Sequence, residues 1–404
     1  MSPYQCLCLA SPRLAPASPV AMLLRCKLLL LLLAASLQVA TPARSVLAES
    51  GKELRGRTRC TFQIATPPVE TPVARPGTRF VAAQVTALQC EPMLPVRHGL
   101  PIHLQPDALD GFLLKLHINL PEACSTNVGE GSPLRTLLAP RGMWLHLAGD
   151  SLLRGVFGTL TNVLLGRRWE EWRGEENFQR LFHLSRSLCC VNFSSVDANS
   201  CKFALHESER ELLSSTRREL SSGRSCITYS FQMEYSEITA SLLQLSATPG
   251  AAVPTRMVTS AALHTMKHAN GNASGYRGEV DGFLTAFSAP VWADTALVIH
   301  ACSAPNYTSV SAGHYPQTET VVRAFNEQLE RALGAQAWNS AWAEQKRPLP
   351  RLVDYYSITE QTPARFPYLD SLHFSDPFYQ TAFVVDALVL NAAACDRRAQ
   401  LAAS

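Results

Sequence analysis

The sequence Gly149-Asp150-Ser151 stands where one apolar element ends and another begins. The residues before it, "MWLHLA", are typical of a buried strand. After Ser151, apolar residues recur with helical spacing. A serine at such a junction has its hydroxyl at the end of a strand and its backbone N–H at a helix N-terminus, where an oxyanion would be stabilised. The pattern therefore predicts a serine nucleophile. The alternative is a plain turn, because Asp and Ser are also common helix caps.

Asp370 and His373 lie three residues apart in "YLDSLHF", just before an apolar helical pattern near the end of the chain. A serine hydroxyl is a weak nucleophile and needs a base within hydrogen-bond distance. On a turn, the carboxylate can hold the imidazole in one tautomer and stabilise the imidazolium formed during catalysis. We therefore predict Ser151 as nucleophile, His373 as general base and Asp370 as the orienting carboxylate. The alternative for the pair is a turn aspartate and a surface histidine.

Strand and helix patterns alternate from Trp144 to the end of the chain. Strands are predicted at "MWLHLAG", 225–236, 295–303 and 350–359. Helices are predicted after Ser151 and at 237–245, 318–334 and 378–395. This order indicates an α/β fold with a mostly parallel sheet that is covered on both faces. Ligands bind beyond the carboxyl ends of the strands in such a sheet, and Ser151 follows the end of the first strand.

The chain before residue 140 has a different character. Residues 1–45 include a basic pair followed by an apolar run at 28–40, which predicts a cleavable signal peptide. A membrane anchor through 28–40 is the alternative, although this run is shorter than the roughly 20 residues that span a bilayer. Residues 46–139 are proline-rich and are predicted to form an irregular extension with short strands near 80–85 and 112–118. This extension either packs on the main domain, 140–404, or forms a second domain.

Both readings of the leader place the protein in the secretory pathway. Nine of the 12 cysteines follow residue 45, and none of them forms a CxxC pair, so they predict up to four disulfides and one remaining thiol. We expect the adjacent cysteines at 189–190 to bond with Cys201 and Cys226. Glycosylation is predicted at the sequons of Asn192, Asn272 and Asn306.

Composition argues against several classes of function. The 47% hydrophobic and 17% charged fractions are those of a globular protein, and a net charge of +3 without a basic stripe gives no support to nucleic-acid binding. His264 and His268 have the spacing of a metal pair on a helix but no third ligand, so no metal and no cofactor is predicted. Trp169 and Trp172 are expected far from Ser151, because the helix between them is about 20 Å long.

The motifs "GDSLLR" and "LDSLHF" resemble those of the SGNH (GDSL-type) hydrolase superfamily. They are most similar to its PC-esterase branch, which includes the trichome birefringence-like O-acyltransferases. In that branch an arginine follows Gly-Asp-Ser after two residues, as Arg154 does here, and one Asp-x-x-His motif supplies the acid and the base, matched by Asp370 and His373. The resemblance covers about 141–395. It implies a three-layer α/β/α fold, a serine acyl-enzyme and acyl groups carried on sugars.

The oxyanion hole is only half identified by this resemblance. Family members add a glycine and an Asn-containing block as further donors. Here the third predicted strand ends in "VIHACSAPN", with His300 where that block would begin. No glycine in 200–240 stands out as a candidate for the second oxyanion donor. His300 or Arg154 would substitute for the missing donor. The predicted oxyanion or substrate contacts are Gly149, Asp150, Arg154 and His300.

Two classes of function follow from these predictions. The first is a secretory-pathway serine esterase or O-acyltransferase that acts on acyl esters of glycans, foremost acetyl esters. Its partner would be an acylated carbohydrate or a small acyl ester, and the two reactions differ in how well the site excludes water. The second is a luminal or cell-surface binding protein that keeps the fold without catalysis. The sequence does not indicate an oligomeric state.

Overall fold

The structure is a computed structural model. It describes residues 57–65, 84–92, 104–105, 113–121, 137–138, 142–165, 186–192, 201–247, 252–306, 317–334, 342, 347, 350–361, 372–374 and 376–403. All of these belong to one compact unit, Gly56–Ser404. The predicted leader at 1–45, with its possible anchor at 28–40, lies outside the described residues, as do Trp169, Trp172 and Asp370.

The described strands form two sheets. In chain order they are β1 (Arg57–Ala65), β2 (Gln84–Pro92), β3 (Leu104–Gln105), β4 (Leu113–Pro121), β5 (Trp144–Gly149), β6 (Arg186–Val191), β7 (Lys202–Leu205), β8 (Ser225–Phe231), β9 (Arg256–Ser260), β10 (Ala296–His300) and β11 (Arg351–Val353). The main sheet has the order β11-β10-β9-β5-β8-β6-β7. Pairing is parallel from β11 to β8, and β6 is antiparallel to both of its neighbours.

Helices cover the main sheet. They are α1 (Ser151–Leu164), α2 (Glu209–Ser221), α3 (Tyr235–Ser246), α4 (Ala262–His268), α5 (Tyr276–Phe287), α6 (Glu319–Leu333), α7 (Tyr355–Gln361) and α8 (Asp376–Ala403). Helix α1 packs against α8, and α5 packs against both α3 and α6. The predicted three-layer α/β/α fold with a mostly parallel sheet is confirmed.

Strand β5 is buried along its whole length, between β8 on one side and β9 on the other. The polar His146 is accommodated there because its Nδ1 lies 2.8 Å from the Thr228 hydroxyl on β8. The chain leaves β5 toward β8 on one side and returns to β9 on the other. The carboxyl end of β5 is therefore the topological switch point, where α/β proteins bind ligands.

Three strands of the main sheet, β6, β7 and β9, were not predicted from the sequence. Strand β9, "RMVTS", has only two apolar residues, but all five of its residues are buried. Its Arg256 is tolerated in the interior because its guanidinium donates to the Asn391 side chain at 2.8 Å and to the Leu137 carbonyl at 3.2 Å. A strand stabilised by such tertiary partners has no periodic pattern of its own.

The strand predicted at 350–359 was wrong in its second half. Strand β11 ends at Val353, and helix α7 begins at Tyr355. The Asp354 carboxylate accepts a hydrogen bond from the Ser357 backbone N–H at 3.1 Å, as an N-cap residue does. The cap at Asp354 therefore overrides the strand-like composition of the aromatic residues that follow.

The N-terminal extension is more regular than predicted. Its described strands form a four-stranded antiparallel sheet in the order β2-β1-β4-β3. Strand β1 was not predicted, and β2 begins at Gln84, later than the pattern at 80–85 indicated. The sheet contacts the main domain where β4 lies against α8.

Helix α8 is the one described helix that is long and apolar enough to cross a membrane, over Phe378–Arg398. Its apolar window is 94% buried inside the protein, where it contacts α1, β4, β10 and β11. This helix is therefore a core element of the α/β fold.

The described cysteines form three disulfides, Cys60–Cys90, Cys189–Cys201 and Cys190–Cys226. The predicted pairing of the adjacent cysteines with Cys201 and Cys226 is confirmed. Cys395 is also disulfide-bonded, and Cys302 is a buried free thiol. The sequon residues Asn192 and Asn272 are exposed, and Asn306 is partly exposed. Their glycosylation stays a prediction.

Gly149 is required by the close approach of two strands. A Cβ at this position would lie 1.9 Å from the Ser260 carbonyl oxygen, which is backbone and cannot rotate away. We expect Gly149→Ala to lower the free energy of unfolding by about 3 kcal/mol or more, since overpacking here must move β5 or β9. Urea denaturation followed by circular dichroism measures this change.

The matched control for this substitution is Gly282→Ala. Gly282 lies in α5, where an added Cβ meets nothing within 4 Å. Alanine there should raise the free energy of unfolding by about 0.5–1 kcal/mol, because it favours the helix. Equal effects of the two substitutions would contradict the proposed clash.

Candidate active site

Ser151 is the first residue of α1 and directly follows β5 at the switch point. It is 7% exposed, so its hydroxyl lies in a recess. Asp150 is the N-cap of α1, and its Oδ1 accepts a hydrogen bond from the Leu152 backbone N–H at 3.0 Å. The sequence prediction of a serine at a strand–helix junction is confirmed in its geometry.

His373 lies against this serine. Its Nε2 is 2.7 Å from Ser151 Oγ, although the two residues are 222 positions apart in sequence. For the hydroxyl to donate to Nε2, the ring proton must lie on Nδ1. This is the hydrogen bond that a serine nucleophile and its general base require. Asp370 lies outside the described residues, so its role as the orienting carboxylate stays a prediction.

The segment that carries His373 is held by aromatic packing. Phe374 stacks on Phe378, with ring centroids 4.2 Å apart, and the Phe374 backbone N–H donates to the Tyr379 hydroxyl at 3.4 Å. Tyr379 also lies so close to Gly155 of α1 that a Cβ there would be 2.4 Å from its ring. Helix α8 therefore positions the imidazole relative to the helix that begins at Ser151.

Asp150 is fully buried. Its second oxygen, Oδ2, accepts a hydrogen bond from the Leu263 N–H at 3.4 Å, in the first turn of α4. Burial raises the pKa of this carboxyl to about 6, against the lowering effect of these two backbone N–H groups. The Asp150 carboxyl group therefore joins the start of α1 to the start of α4, and its predicted role as an oxyanion or substrate contact stays a prediction.

Arg154 lies on the first turn of α1 with its guanidinium over the ring of Phe231, 5.6 Å from the ring centroid. His264 meets the same ring edge-on, also with a centroid distance of 5.6 Å. Burial, and after it the neighbouring His268 and Lys267 side chains, lower the pKa of His264. Sequence reasoning missed Phe231 and considered His264 only as a metal ligand.

His264 and His268, which have the spacing of a metal pair, lie side by side on α4. His268 Nδ1 lies 2.6 Å from Glu234 Oε1, and the two imidazole centroids are 6.2 Å apart. Among the described residues, no group of three or more His, Cys, Asp or Glu side chains is placed to hold a metal ion.

His300 ends β10, as predicted for the third predicted strand, but the missed strand β9 lies between β10 and β5. The strand end that pairs with Gly149 on this side of β5 is therefore Ser260. None of the residues 260–263 is an asparagine. The backbone N–H of Ser151, at the N-terminus of α1, remains the candidate oxyanion donor from the motif itself.

His300 instead belongs to a buried cluster. Its Nε2 lies 2.7 Å from Asp386 Oδ1 on α8, and the Tyr355 hydroxyl donates to the same oxygen at 3.3 Å. His300 is 5% exposed and Asp386 2% exposed. Burial raises the pKa of Asp386, while the neighbouring His300 opposes that shift. Sequence analysis selected His300 but did not identify Asp386. In the sequence Asp386 is a single acid within an apolar helical pattern, and nothing there indicates its partner.

Comparison with known proteins adds little to this geometry. No protein-family model matches the chain, and no curated protein matches its sequence. Among solved structures, a putative GDSL-like lipase from Parabacteroides merdae ATCC 43184 is 13% identical with a TM-score of 0.32, covering 64% of this chain and 99% of that one. The salicylyl-acyltransferase SsfX3 from a tetracycline biosynthetic pathway is 11% identical with a TM-score of 0.29, covering 90% of this chain and 88% of that one. At TM-scores this low, neither likeness carries an inference about this chain.

Asp150 makes stability depend on pH in a definite direction. Its pKa is about 6 in the fold against an ordinary value of 3.8, so the folded state binds the extra proton between these values. The stability that the protonated acid supports is therefore complete below the ordinary value and is lost as pH rises through about 6. A shift of about two units corresponds to roughly 3 kcal/mol.

Asp150→Asn tests this dependence because asparagine does not titrate. The quantity compared is the free energy of unfolding of the natural protein minus that of the variant. We expect this difference to fall by roughly 3 kcal/mol as pH rises from the ordinary pKa of 3.8 to above the raised pKa of about 6. Urea titrations of both proteins at several pH values give the difference. A difference that stays level or rises with pH would contradict the assigned environment of Asp150.

Proposed function

We propose that this protein is a serine acyl-ester enzyme of the secretory pathway, an esterase or O-acyltransferase that acts on acyl esters of glycans. The proposal is carried by one observation, the 2.7 Å approach of Ser151 Oγ to His373 Nε2 at the switch point of the sheet. Ser151 is buried and His373 is partly exposed, so the hydrogen-bonded pair lies at the edge of the core, where an ester would reach it.

The geometry supports a two-step acyl transfer. Ser151 Oγ attacks the ester carbonyl carbon while its proton passes to His373 Nε2, and the oxyanion forms near the N-terminus of α1. The carbon–oxygen bond to the leaving alcohol then breaks, and His373 returns the proton to that alcohol. Water or a sugar hydroxyl attacks the resulting acyl-enzyme and restores the serine, with His373 again accepting and returning a proton. Asp370 is the expected partner of the imidazolium.

The glycan substrate and the PC-esterase relationship rest on the sequence motifs. The "GDSLLR" and "LDSLHF" motifs resemble that branch, and Arg154 with Phe231 supplies a cation and an aromatic ring beside the serine. An aromatic face and nearby hydrogen-bond donors suit a sugar ring. The secretory location is supported by the apolar run at 28–40 and is compatible with three disulfides, which persist in oxidising compartments.

Ser151→Ala tests the reaction directly. We expect it to abolish hydrolysis of p-nitrophenyl acetate by the purified, disulfide-intact protein, because no other group would form the acyl-enzyme. Ser214→Ala is the control, since Ser214 is an exposed residue of α2 and should leave turnover unchanged. Full activity of Ser151→Ala would exclude the proposed nucleophile.

A fluorophosphonate probe distinguishes the enzyme from a binding protein with the same fold. The probe should label the natural protein at Ser151 and leave the alanine variant unlabelled, as peptide mass spectrometry will report. An absence of labelling in folded protein would favour the binding protein, for which the missing asparagine after β9 is the specific indication.

The secretory location has its own test. Expressed through a eukaryotic secretory pathway, the protein should carry glycans at Asn192 and Asn272, which are both exposed. Removing N-glycans with an endoglycosidase should lower the mass, and Asn192→Gln combined with Asn272→Gln should remove most of that shift. An unglycosylated product retained in the cytoplasm would contradict the proposed location.

A further inference from the structure

A small cleft is lined by residues that neighbour Ser151 in the sequence and in the sheet. Leu152 and Val156 form one wall, on the first two turns of α1, and Ser260 contributes at the end of β9. Leu152 is the neighbour of Ser151 in sequence, and the Ser260 carbonyl accepts the Asp150 backbone N–H at 2.9 Å. The cleft is therefore built on the same two junctions that position the serine.

The opposite wall comes from the segment that positions His373. Phe378 and Ala382 line the cleft from α8, together with Tyr355. Phe378 stacks on Phe374, which follows His373 in sequence, and meets Tyr355 edge-on at 5.5 Å. The cleft thus lies between the neighbours of the hydroxyl and the neighbours of the imidazole.

His300 lines the cleft, and its side chain is held in place by two contacts. Its Nε2 is bound to Asp386 Oδ1 at 2.7 Å, and the Tyr355 ring stands edge-on to it at 4.5 Å. A longer acyl chain would extend beyond His300 only if the buried, hydrogen-bonded His300–Asp386 pair separated, which is unfavourable. The enclosed space of the cleft is about 10 Å³, which is room for about one group the size of a water molecule or a methyl.

We propose that this cleft receives the acyl group of the ester, and that Val156 and Ala382 limit the length of that group. The inference rests on the proposed function and adds to it the place and the size of the acyl chain. With the carbonyl carbon at Ser151 Oγ and its oxygen toward the N-terminus of α1, the acyl tail enters the apolar space behind Leu152. Its walls are mostly apolar side chains and its volume is small, so it fits a short alkanoyl group.

Val156→Ala tests the cleft by enlarging it. The measured quantity is the ratio of kcat/KM for p-nitrophenyl propionate or butyrate to that for the acetate. We expect this ratio to rise about tenfold or more, since a methylene in an apolar pocket changes specificity by about 10- to 200-fold. Ala382→Val narrows the cleft and should lower the same ratio. Because the ratio compares substrates on one protein sample, a reduced folded fraction does not change it.

Val163→Ala is the matched control, because it makes the same change on the same helix without lining the cleft. Its ratio should equal that of the natural protein. If all three variants keep the natural ratio while acetate hydrolysis still depends on Ser151, the acyl-cleft assignment is overturned and the proposed function stands. If the natural protein has no Ser151-dependent turnover at all, the proposed function fails and the acyl cleft fails with it.

Discussion

The buried carboxylate of Asp150 connects the elements on which the site is built. It accepts backbone N–H groups from Leu152 at the start of α1 and from Leu263, 113 positions away in sequence, at the start of α4. Its own N–H donates to the Ser260 carbonyl, and its carbonyl accepts the Tyr229 hydroxyl at 3.1 Å. The backbone at Ser151 is thus held from β8, β9 and α4 together, which gives this serine one orientation. The cost is a buried acid whose ionised form is disfavoured, as its raised pKa records.

Helix α8 supplies the second constraint. It follows the segment of His373, and Tyr379 packs into the space left by Gly155 of α1. Further along, Asp386 binds His300 on β10, and Asn391 accepts a hydrogen bond from Arg256 on β9. The imidazole is therefore positioned by a rigid core helix whose apolar window is 94% buried, and a local loop conformation alone would not suffice.

The two sides of the candidate site have different chemistry. One side has Phe231 between the Arg154 guanidinium and the His264 imidazole, both of which stay partly exposed. The other side is a small, mostly apolar cleft with the buried His300–Asp386 pair in its region. An ester also has two unlike parts, a polar alcohol and an acyl group. These two unlike surfaces are the basis on which we propose ester cleavage or acyl transfer at the Ser151–His373 pair.

The sequence by itself determined the class of fold and the two motifs that meet in the site. Periodicity over six to 15 residues is a local property, so β5, α1 and α6 were predicted with nearly correct bounds. β8 and α8 were also predicted, but β8 ends at Phe231, before the predicted 236, and α8 continues to Ala403, beyond the predicted 395. Helix-cap chemistry at the Gly-Asp-Ser junction is equally local, as is the spacing that identified His373. Even the pairing of the adjacent cysteines could be anticipated, because few partners lie nearby in the chain.

Only the tertiary structure decided which of these elements touch. Strand β9 escaped detection because its buried Arg256 is accommodated by hydrogen bonds to Asn391 and the Leu137 carbonyl, partners that are distant in sequence. The same strand separates His300 from β5, and packing pairs His300 with Asp386 on α8. The approach of Ser151 to His373 spans 222 positions. Contacts of this kind arise from the close packing of sheet and helices, and no local pattern of residues encodes a distance between elements that far apart in the chain.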